Sequence, residues 1–326
     1  MIAIPKATIV IPAYNGAQFL AAAVDSALAQ DFGPFEVLVL DNASTDETPQ
    51  IMARYADARL QYRRNRENLG LAGNVALGCE MARGDYVMFS GADDLLLPGF
   101  LAQACAFLDA RPGVSLVHGP AAWIDADGRR FGGTGRAWDR VTPGRLAMAG
   151  AFAQGFCFTT MLMRTAAIRA TGAAGGHWQE VIDLWLFLRM CLAGDIGYLP
   201  DVLVEYRVHA GAMSMPMYRD NLMFRRQMMA AREAFAWPQA AAIGAAGQRR
   251  EAERAAARIA IQTLHMARAV GRGRALRNFG EVAAAVPETL LWPATWARLA
   301  FGMLPLAAME RLKALKHRRD VAEAAR

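Results

Sequence analysis

Three short, largely apolar runs and one weaker, mixed run occur in the first ninety positions, each followed by polar residues and separated from the next by a helical stretch. The runs are Thr8–Pro12, Phe35–Leu40, the weaker Leu60–Arg63 and Tyr86–Phe89. Strands that alternate with helical stretches of about 10 to 15 residues predict β-α-β crossovers and a parallel sheet. The last run, which is apolar throughout, is typical of a strand buried on both faces. We therefore predict an α/β fold, a mostly parallel Rossmann-like sheet flanked by helices.

Polar clusters follow three of these strands, at Tyr14-Asn15, Asp41-Asn42 and Asp93-Asp94. Parallel strands bring their carboxyl ends to one edge of a sheet, which is where ligands of open α/β sheets bind. The sequence contains neither of the glycine-rich phosphate-binding motifs, G-x-G-x-x-G and G-x-x-x-x-G-K-[ST]. Adjacent carboxylates suit a hard divalent cation that also holds phosphate oxygens. We therefore expect a nucleotide site in which Mn²⁺ or Mg²⁺ on Asp93 neutralises the phosphates.

The helical stretches between the strands are predicted over residues 17–30 and 71–82. Ser44, with Glu47 three residues later, matches the capping-box pattern and predicts the start of a further helix.

Composition indicates a globular chain, because 54% of the 326 residues are apolar and 20% are charged. This length allows one large or two modest domains. The four cysteines have no C-x-x-C spacing and fit reduced thiols in the cytoplasm. The first twelve residues are interrupted by proline too early for a signal peptide, and we interpret them as leading into the first strand.

The net charge of +6 is unevenly distributed, since residues 1–216 carry a net −4 and residues 217–326 a net +10. This asymmetry predicts a boundary between an α/β domain and a basic, alanine-rich helical region. No nucleic-acid-binding motif is present, so we exclude nucleic acid as a partner. Proline residues and Arg298 interrupt the apolar stretch at 290–309 and argue against a membrane span. The basic region is expected to contact an anionic membrane surface, or to form a helical subdomain or an oligomer contact.

Four motifs in order carry a family resemblance: Val10–Asn15, Leu40–Asp46, Glu67–Gly70 and Ala92–Leu96. Over roughly residues 5–214 the chain resembles the family 2 glycosyltransferases, which have the GT-A fold. The resemblance implies inverting transfer of a sugar from a nucleoside-diphosphate donor, with UDP or dTDP favoured, to a hydroxyl of a glycan or lipid-linked acceptor. It also implies a role in bacterial cell-surface polysaccharide synthesis, in the cytoplasm or peripherally on the inner face of its membrane.

The resemblance assigns roles to several residues of the first domain. Asp41 is expected to accept a hydrogen bond from the N3–H of uracil or thymine. The other residues expected to bind the nucleotide-sugar are Pro12, Tyr14, Asn15, Asn68, Asp93 and Asp94. Asp93 is also the expected metal ligand. Gly91 stands where the family has the first acid of its acidic triplet, which puts the strength of donor and metal binding in question.

The second half of the resemblance implies the catalytic base. Asp183 aligns with the family's general base, although Ile182 replaces the acid that often precedes it, and Glu180 is the substitute. A carboxylate among apolar neighbours has a raised pKa, which suits a base. Arg207 is expected to neutralise the leaving group and His209 to complete the metal shell. The glycine- and arginine-rich stretch 123–155 is expected to be a loop over the acceptor side or a linker without substrate contact.

Two other functions remain open from the sequence. A nucleotide-sugar-binding relative with weak catalysis is suggested by Gly91 and Ile182, whereas the presence of Asp93 and Asp183 argues against it. A sugar-phosphate nucleotidyltransferase would carry a glycine-rich signature after the first strand, where this chain has Pro12–Asn15.

Overall fold

The computed structural model describes residues 4–134, 137–153, 157–175, 178–212, 214–264, 266 and 271–303. The chain divides into two compact units. The first unit contains the chain up to residue 210 together with residues 230–252, and the second contains residues 211–229 and the chain from 253 onward. The second unit thus begins slightly before the boundary that the charge distribution predicts, and a segment beyond that boundary belongs to the first unit.

The described strands all lie in the first unit. In chain order they are β1 (Ala7–Ala13), β2 (Phe35–Asp41), β3 (Leu60–Arg64), β4 (Tyr86–Phe89), β5 (Leu95–Leu96), β6 (Val114–His118), β7 (Ala122–Ile124), β8 (Arg130–Gly133), β9 (Val141–Thr142), β10 (Leu162–Arg164), β11 (Asp195–Tyr198) and β12 (Val204–Arg207). The four runs that the sequence predicts as strands correspond to β1, β2, β3 and β4.

Eight of these strands form a sheet in the order β3-β2-β1-β4-β10-β6-β11-β9. Strands β3, β2, β1 and β4 are parallel, which confirms the predicted α/β arrangement. Strand β10 is antiparallel to both of its neighbours, β4 and β6. Strands β1 and β2 are buried along almost their whole length, whereas the edge strand β3 exposes four of its five residues.

A second sheet has the order β5-β12-β7-β8. Strand β12 pairs with β5 in the antiparallel and with β7 in the parallel direction. Strands β7 and β8 form a hairpin. The stretch 123–155, expected to be a loop or a linker, therefore contributes to two strands of this sheet and continues into β9 and a helix. The expectation was wrong because backbone pairing with β12, which lies eighty residues later, orders this part of the chain.

The described α-helices are α1 (Leu20–Leu28), α2 (Thr48–Met52), α3 (Gly70–Met81), α4 (Phe100–Asp109), α5 (Gly144–Ala151), α6 (Thr165–Thr171), α7 (Ile182–Ala193), α8 (Ser214–Arg219), α9 (Leu222–Ala234), α10 (Pro238–Ala242), α11 (Arg249–Gln262), α12 (Arg272–Ala285) and α13 (Pro293–Met303). Helices α1 and α3 confirm the stretches predicted from the sequence, although α1 is shorter. The predicted capping box is wrong, because α2 begins at Thr48 without a side-chain cap. The Ser44 hydroxyl instead accepts a hydrogen bond from the Asn15 N–H, at 2.9 Å.

Helix α3 lies directly on the central sheet because it carries a glycine at the contact. A Cβ atom on Gly78 would lie 2.8 Å from Val10 Cγ1 and 2.9 Å from Phe89 Cε1. Since distances below 3.0 Å require atoms to move, only glycine allows the helix this close to β1 and β4. The start of α3 is thereby fixed beside the carboxyl end of the sheet.

Three tryptophans and an arginine hold α7 against residues 230–252. The Arg189 guanidinium lies 4.4 Å from the Trp185 ring centre and 4.2 Å from that of Trp237. The Trp178 indole N–H donates to Glu233 Oε2 at 3.0 Å. These cation–π and hydrogen-bond contacts fix the helix whose first turn contains Asp183.

The second unit is helical, as the sequence predicts. Its apolar cluster is formed by residues from α9, α11 and α12 and includes Phe224, Ile261 and Val282. The apolar stretch 290–309 begins in a 3₁₀ turn, Pro287–Leu291, and continues as α13, while residues 304–309 lie outside the described residues. Among the described helices, none has the length and apolar character needed to cross a membrane.

Candidate active site

The carboxyl ends of β1, β2 and β4 lie side by side, as parallel pairing requires. The Asn42 N–H donates to the Ala13 carbonyl at 2.8 Å, and the Ser90 N–H donates to the Val10 carbonyl at 2.8 Å. These bonds extend the pairing into the loops that carry the predicted polar clusters. The structure therefore brings the three clusters to one edge of the sheet.

Three of the predicted nucleotide residues lie at the end of β1 or directly after it. Pro12 is partly buried within the strand, and the Tyr14 side chain is 53% exposed, which leaves its ring available for stacking. Asn15 has a left-handed backbone, with φ of 51°, a conformation that asparagine tolerates better than most residues. Its Oδ1 atom accepts a hydrogen bond from the Thr45 N–H at 2.8 Å. Asn15 therefore joins the loops after β1 and β2.

Asp41, predicted to contact the base, is turned into the protein. Its side chain has no exposed surface. Its Oδ1 accepts the Ser44 N–H at 2.8 Å, and its Oδ2 accepts the Tyr62 hydroxyl at 2.6 Å. Arg64 Nε lies 3.4 Å from the same Oδ2 atom. A base can contact this carboxylate directly only if Tyr62 moves, so the predicted contact stays a prediction.

Four asparagines connect the loop after β2 with the loop before α3. Asn42 Nδ2 donates to Asn68 Oδ1 at 2.8 Å, and Asn65 Nδ2 donates to Asn42 Oδ1 at 3.1 Å. Oδ1 of the buried Asn74 accepts a hydrogen bond from Asn65 Nδ2 at 3.0 Å, and its Nδ2 donates to the Leu40 carbonyl at 2.7 Å. Asn68, the only one of the four predicted from the sequence as a donor ligand, thus shapes the loop from within. Sequence spacing gave no signal for Asn65 or Asn74.

Asp93 and His209, which are 116 residues apart in the sequence, lie side by side in the fold. Asp93 Oδ2 and His209 Nε2 are 2.9 Å apart, and the two side chains are 34% and 17% exposed. The imidazole also packs on the Phe19 ring, with 4.9 Å between ring centres. No third histidine, cysteine or acidic side chain of the described residues completes a metal-binding cluster here. A carboxylate oxygen and an imidazole nitrogen form a donor pair that fits a divalent metal with open positions.

Asp94 is buried behind Asp93 and is fixed on both carboxylate oxygens. Its Oδ1 accepts the Arg207 N–H at 2.9 Å, and its Oδ2 accepts a short hydrogen bond from the Thr159 hydroxyl. Burial and the adjacent charge of Asp93 raise the pKa of Asp94 to about 7. Thr159, which the sequence did not indicate, also accepts the Gly91 N–H at 3.0 Å. Asp94 and Thr159 therefore hold in place the loop between β4 and β5, residues 90–94, which we call the acidic loop.

Arg207 supports the same loop through its guanidinium. Nε donates to the Asp93 carbonyl at 2.8 Å, and Nη1 donates to the Asp125 carbonyl at 2.9 Å. The guanidinium carbon lies 4.6 Å from the Phe19 ring centre, and the residue is 5% exposed. These contacts place Arg207 beside the acidic loop as a brace, and its predicted contact with a leaving group stays a prediction.

Asp183 lies in the first turn of α7, and its Oδ1 accepts the N–H of Leu184 at 2.8 Å. Burial raises the pKa of this carboxyl, as expected for a base. Burial, with the charges of Asp94 and Asp183, also raises the pKa of the Cys157 thiol. Cys157 directly precedes the 3₁₀ turn Phe158–Thr160, whose Thr159 is hydrogen-bonded to Asp94. Glu180, the alternative base, lies in the preceding 3₁₀ turn.

Gln179 connects the segment that carries Asp183 to the first turn of α3, which follows the loop containing Asn65 and Asn68. Its Oε1 accepts the N–H of Ala72, in the first turn of α3, at 3.0 Å. The side chain lies against Gly70, where a Cβ atom would be 2.7 Å from Oε1 and where φ is +71°. This contact spans 107 positions in the sequence, so only the folded chain reveals it.

Comparison with known proteins places the first unit in a family. Residues 8–171 match the family model described as Glycosyl transferase family 2. EpsE of Bacillus subtilis (strain 168), assigned as a glycosyltransferase, is 31% identical over 218 residues, which cover 64% of this chain and 75% of EpsE.

Two solved structures resemble the fold. TarS 1–349 of S. aureus in complex with UDP-GlcNAc has a TM-score of 0.57 and 18% identity, covering 87% of this chain and 82% of TarS 1–349. The mannosyltransferase PcManGT from Pyrobaculum calidifontis in complex with GDP-Man and Mn²⁺ has a TM-score of 0.50 and 19% identity, covering 93% of this chain and 89% of that one. These likenesses confirm the predicted GT-A fold.

Proposed function

This chain belongs to glycosyltransferase family 2, and we propose that it is an inverting enzyme that uses a nucleoside-diphosphate sugar. The observation that supports the proposal is that two different acidic centres are joined to the carboxyl edge of the sheet. Asp93 follows β4 directly, and the segment that carries Asp183 is linked to the start of α3 by the hydrogen bond between the Ala72 N–H and Gln179 Oε1. The Asp93–His209 pair is suited to a metal and diphosphate, and Asp183 has the raised pKa of a base. The proposed acceptor is a hydroxyl of a glycan or lipid-linked glycan, in bacterial cell-surface polysaccharide synthesis.

Support for a nucleotide-sugar donor comes from the sheet edge and from the neighbours. The loops after β1, β2 and β4 converge there, and Tyr14 presents an exposed ring. TarS was solved with UDP-GlcNAc and PcManGT with GDP-Man. A uracil or thymine nucleotide is favoured by the family resemblance, and the Asp41 carboxylate at the end of β2 is consistent with a base that offers an N–H group.

Asp93 and His209 are the residues proposed to hold a divalent metal, Mn²⁺ or Mg²⁺. Their carboxylate and imidazole are 2.9 Å apart and partly exposed, so both can turn toward the same ligand. PcManGT was solved with Mn²⁺. When bound, such a metal supplies positive charge that stabilises the departing diphosphate. The buried Asp94, Thr159 and Arg207 keep the backbone of the acidic loop fixed.

In the proposed reaction Asp183 accepts the proton of the acceptor hydroxyl. The acceptor oxygen forms its bond to C1 of the sugar as the bond from C1 to the diphosphate oxygen breaks on the opposite face. The nucleoside diphosphate leaves with that electron pair, and the configuration at C1 inverts. The raised pKa of Asp183 brings its basicity closer to what proton abstraction near neutral pH requires.

A donor screen tests this proposal. Full-length protein with Mn²⁺ or Mg²⁺ is expected to be stabilised against thermal unfolding by one class among UDP-, dTDP- and GDP-sugars, because a ligand of the folded state raises its stability. Asp93→Ala is expected to abolish the metal-dependent part, whereas Asp31→Ala, at an exposed position away from the site, should leave it intact.

Each outcome of the screen separates the candidate functions. Stabilisation that is unaffected by Asp93→Ala would reject the metal assignment. Binding without any donor hydrolysis or transfer would favour the catalytically weak binding relative. Failure of every sugar nucleotide to bind would reject the proposed donor site.

We also propose that the second unit contacts the anionic inner face of the cytoplasmic membrane. The residues of this unit, 211–229 and 253–326, carry a net +9. Leu291 is 82% and Trp296 53% exposed, and the Trp296 indole N–H donates to the Leu290 carbonyl at 2.9 Å, so these exposed side chains are neighbours. Exposed apolar groups with basic charge are typical of interfacial binding. The helical subdomain and the oligomer contact are the alternatives.

Sedimentation of the full-length chain with liposomes tests the membrane contact. We expect binding to vesicles that contain anionic lipid, weak binding to neutral vesicles, and a decrease of several-fold for Leu291→Glu because a charge must then enter the interface. Val202→Glu replaces an apolar residue that is 42% exposed in the first unit and should bind like the wild type. Equal sedimentation of both variants and the wild type would reject this surface.

A further inference from the structure

The carboxylate of Asp41, which the resemblance assigns to the nucleobase, is covered by a side chain that lies outside the family motifs. Asp41 sits at the carboxyl end of β2, but its side chain is sealed from solvent. The group that covers it is the hydroxyl of Tyr62, on the edge strand β3. Tyr62 itself is 37% exposed, so one side of the phenol faces Asp41 and another reaches solvent.

The hydrogen bond between these residues has a fixed direction. A phenol hydroxyl has one proton and can also accept hydrogen bonds on its oxygen. The Asp41 carboxylate offers acceptor oxygens, and Arg64 Nε lies 3.4 Å from the same Oδ2 atom. Tyr62 therefore donates its single proton to Asp41, over 2.6 Å. Burial and the contact with Asp41 also raise the pKa of Tyr62, so the phenol keeps this proton.

We propose that Tyr62 is a specificity-determining residue. Its hydroxyl oxygen contacts the nucleobase of the donor in place of the buried Asp41 carboxylate. Since its proton is committed to the carboxylate, the phenol oxygen can only accept a hydrogen bond from a ligand. It therefore favours a base that presents an N–H at the pyrimidine N3 position, as uracil and thymine do. A cytosine presents an unprotonated N3 at the same position, and two facing lone pairs repel each other. This inference rests on the proposed function, because it assumes a nucleotide donor.

Neighbouring contacts keep the Tyr62–Asp41 pair in position. The Ser44 N–H holds the other carboxylate oxygen at 2.8 Å, and Arg64 Nη2 donates to the Ser44 carbonyl at 2.8 Å. Tyr62 is opposite Val39 in the parallel register of β3 and β2, so its side chain lies on the same face of the sheet as that of Asp41, two residues further on. A group held in this way loses little conformational freedom when it binds a base.

UDP and CDP are matched probes for this proposal, because both are pyrimidine nucleotides and CDP lacks the N3–H. Isothermal titration of the full-length protein with Mn²⁺ is expected to show tighter binding of UDP than of CDP. Tyr62→Phe should weaken UDP binding about tenfold, the effect of one lost hydrogen bond, and should not weaken CDP binding, because the repulsion is removed with the hydroxyl. Its selectivity for UDP over CDP should therefore fall by at least the same factor.

Tyr55→Phe is the matched control. The Tyr55 hydroxyl also donates to a carboxylate, Asp25 Oδ1 at 2.8 Å, but joins α1 to the segment after α2 rather than covering Asp41. It should leave both affinities unchanged, and thermal unfolding of both variants reports any loss of the fold. An unchanged ratio of UDP affinity to CDP affinity in Tyr62→Phe would overturn the proposal. Tighter UDP binding by this variant would also overturn it, because Tyr62 would then be a cover that the base must displace.

Failure of the donor site itself has a different signature. If the wild type binds neither UDP nor CDP nor any sugar nucleotide, the proposed function falls and this inference falls with it. If the wild type binds UDP and CDP equally well, the donor site stands and only the role of Tyr62 is rejected.

Discussion

Replacement of Asp183 by asparagine is expected to lower the rate of sugar transfer by about 10³-fold, because general-base catalysis contributes roughly 10² to 10⁴ and an amide cannot accept the proton. The carboxamide has nearly the same shape and keeps an oxygen for the Leu184 N–H. Donor affinity should therefore be unchanged. Single-turnover transfer with the donor identified by the screen, together with donor titration, measures the two effects separately.

Glu180→Gln is the matched control for this substitution, since it removes the other carboxylate considered as the base. It is expected to retain most of the transfer rate. Loss of transfer in Glu180→Gln with activity retained in Asp183→Asn would reverse the assignment. Equal, small effects of both variants would show that neither carboxylate is the base.

The pH dependence gives a further signature of Asp183. The working form of a base is deprotonated, and burial raises the pKa of this carboxyl above its ordinary range. Activity should therefore be complete above the raised pKa and fall as the pH is lowered through it. The acidic limb of kcat/KM is thus expected at a higher pH than for an exposed aspartate, and Asp183→Asn should lack it.

The second large effect is expected at Gly91, where the family carries an acid. A Cβ atom there would lie 2.6 Å from Asp94 Oδ2 and 2.8 Å from Asp93 Oδ1. Neither carboxylate can retreat easily, because Thr159 and Arg207 hold Asp94 and His209 pairs with Asp93. Gly91→Ala should therefore lower kcat/KM at least tenfold and raise the metal concentration needed for activity.

Gly91→Asp separates the expectation from the family pattern from the expectation from the structure. From the family pattern alone, this substitution restores a missing acid and should improve metal binding. From the structure, it forces a third carboxylate into space that Asp94 fills, and it should be at least as harmful as alanine. Gly33→Ala, at a glycine with no atom within 4 Å of the added methyl group, is the control. Higher activity in Gly91→Asp would show that the acidic loop opens freely.

Half of the central sheet, strands β1 to β4, could be predicted from the sequence, chiefly because three of these strands are largely apolar runs. Strands β1, β2 and β4 are of this kind, and their carboxyl ends fix where Asp41 and Asp93 lie. The small sheet was missed because its strands are short and draw their pairing from distant residues, as β12 does with β7. No local periodicity marks such strands.

Site residues divide in the same way. Asp93 and Asp183 stand in recognisable motifs, whereas Tyr62 and Thr159 do not. Tyr62 lies on an exposed edge strand whose polar residues look like ordinary surface. Thr159 is 68 residues from Gly91, to which it is hydrogen-bonded, and belongs to a three-residue 3₁₀ turn without a distinctive pattern. The motifs therefore indicated the residues proposed as metal ligand and base, whereas Tyr62 and Thr159 are recognised only from their contacts in the folded chain.

The position of β10 bears on how the chain is synthesised and folds. This strand lies between β4 and β6 and closes the middle of the eight-stranded sheet, although the whole β7–β8 hairpin precedes it in the sequence. A nascent chain that ends before Leu162 therefore exposes the pairing edges of two buried, apolar strands, which are templates for association with other chains. We expect fragments that end in this interval to aggregate, and closure of the sheet to be a slow, late step of folding.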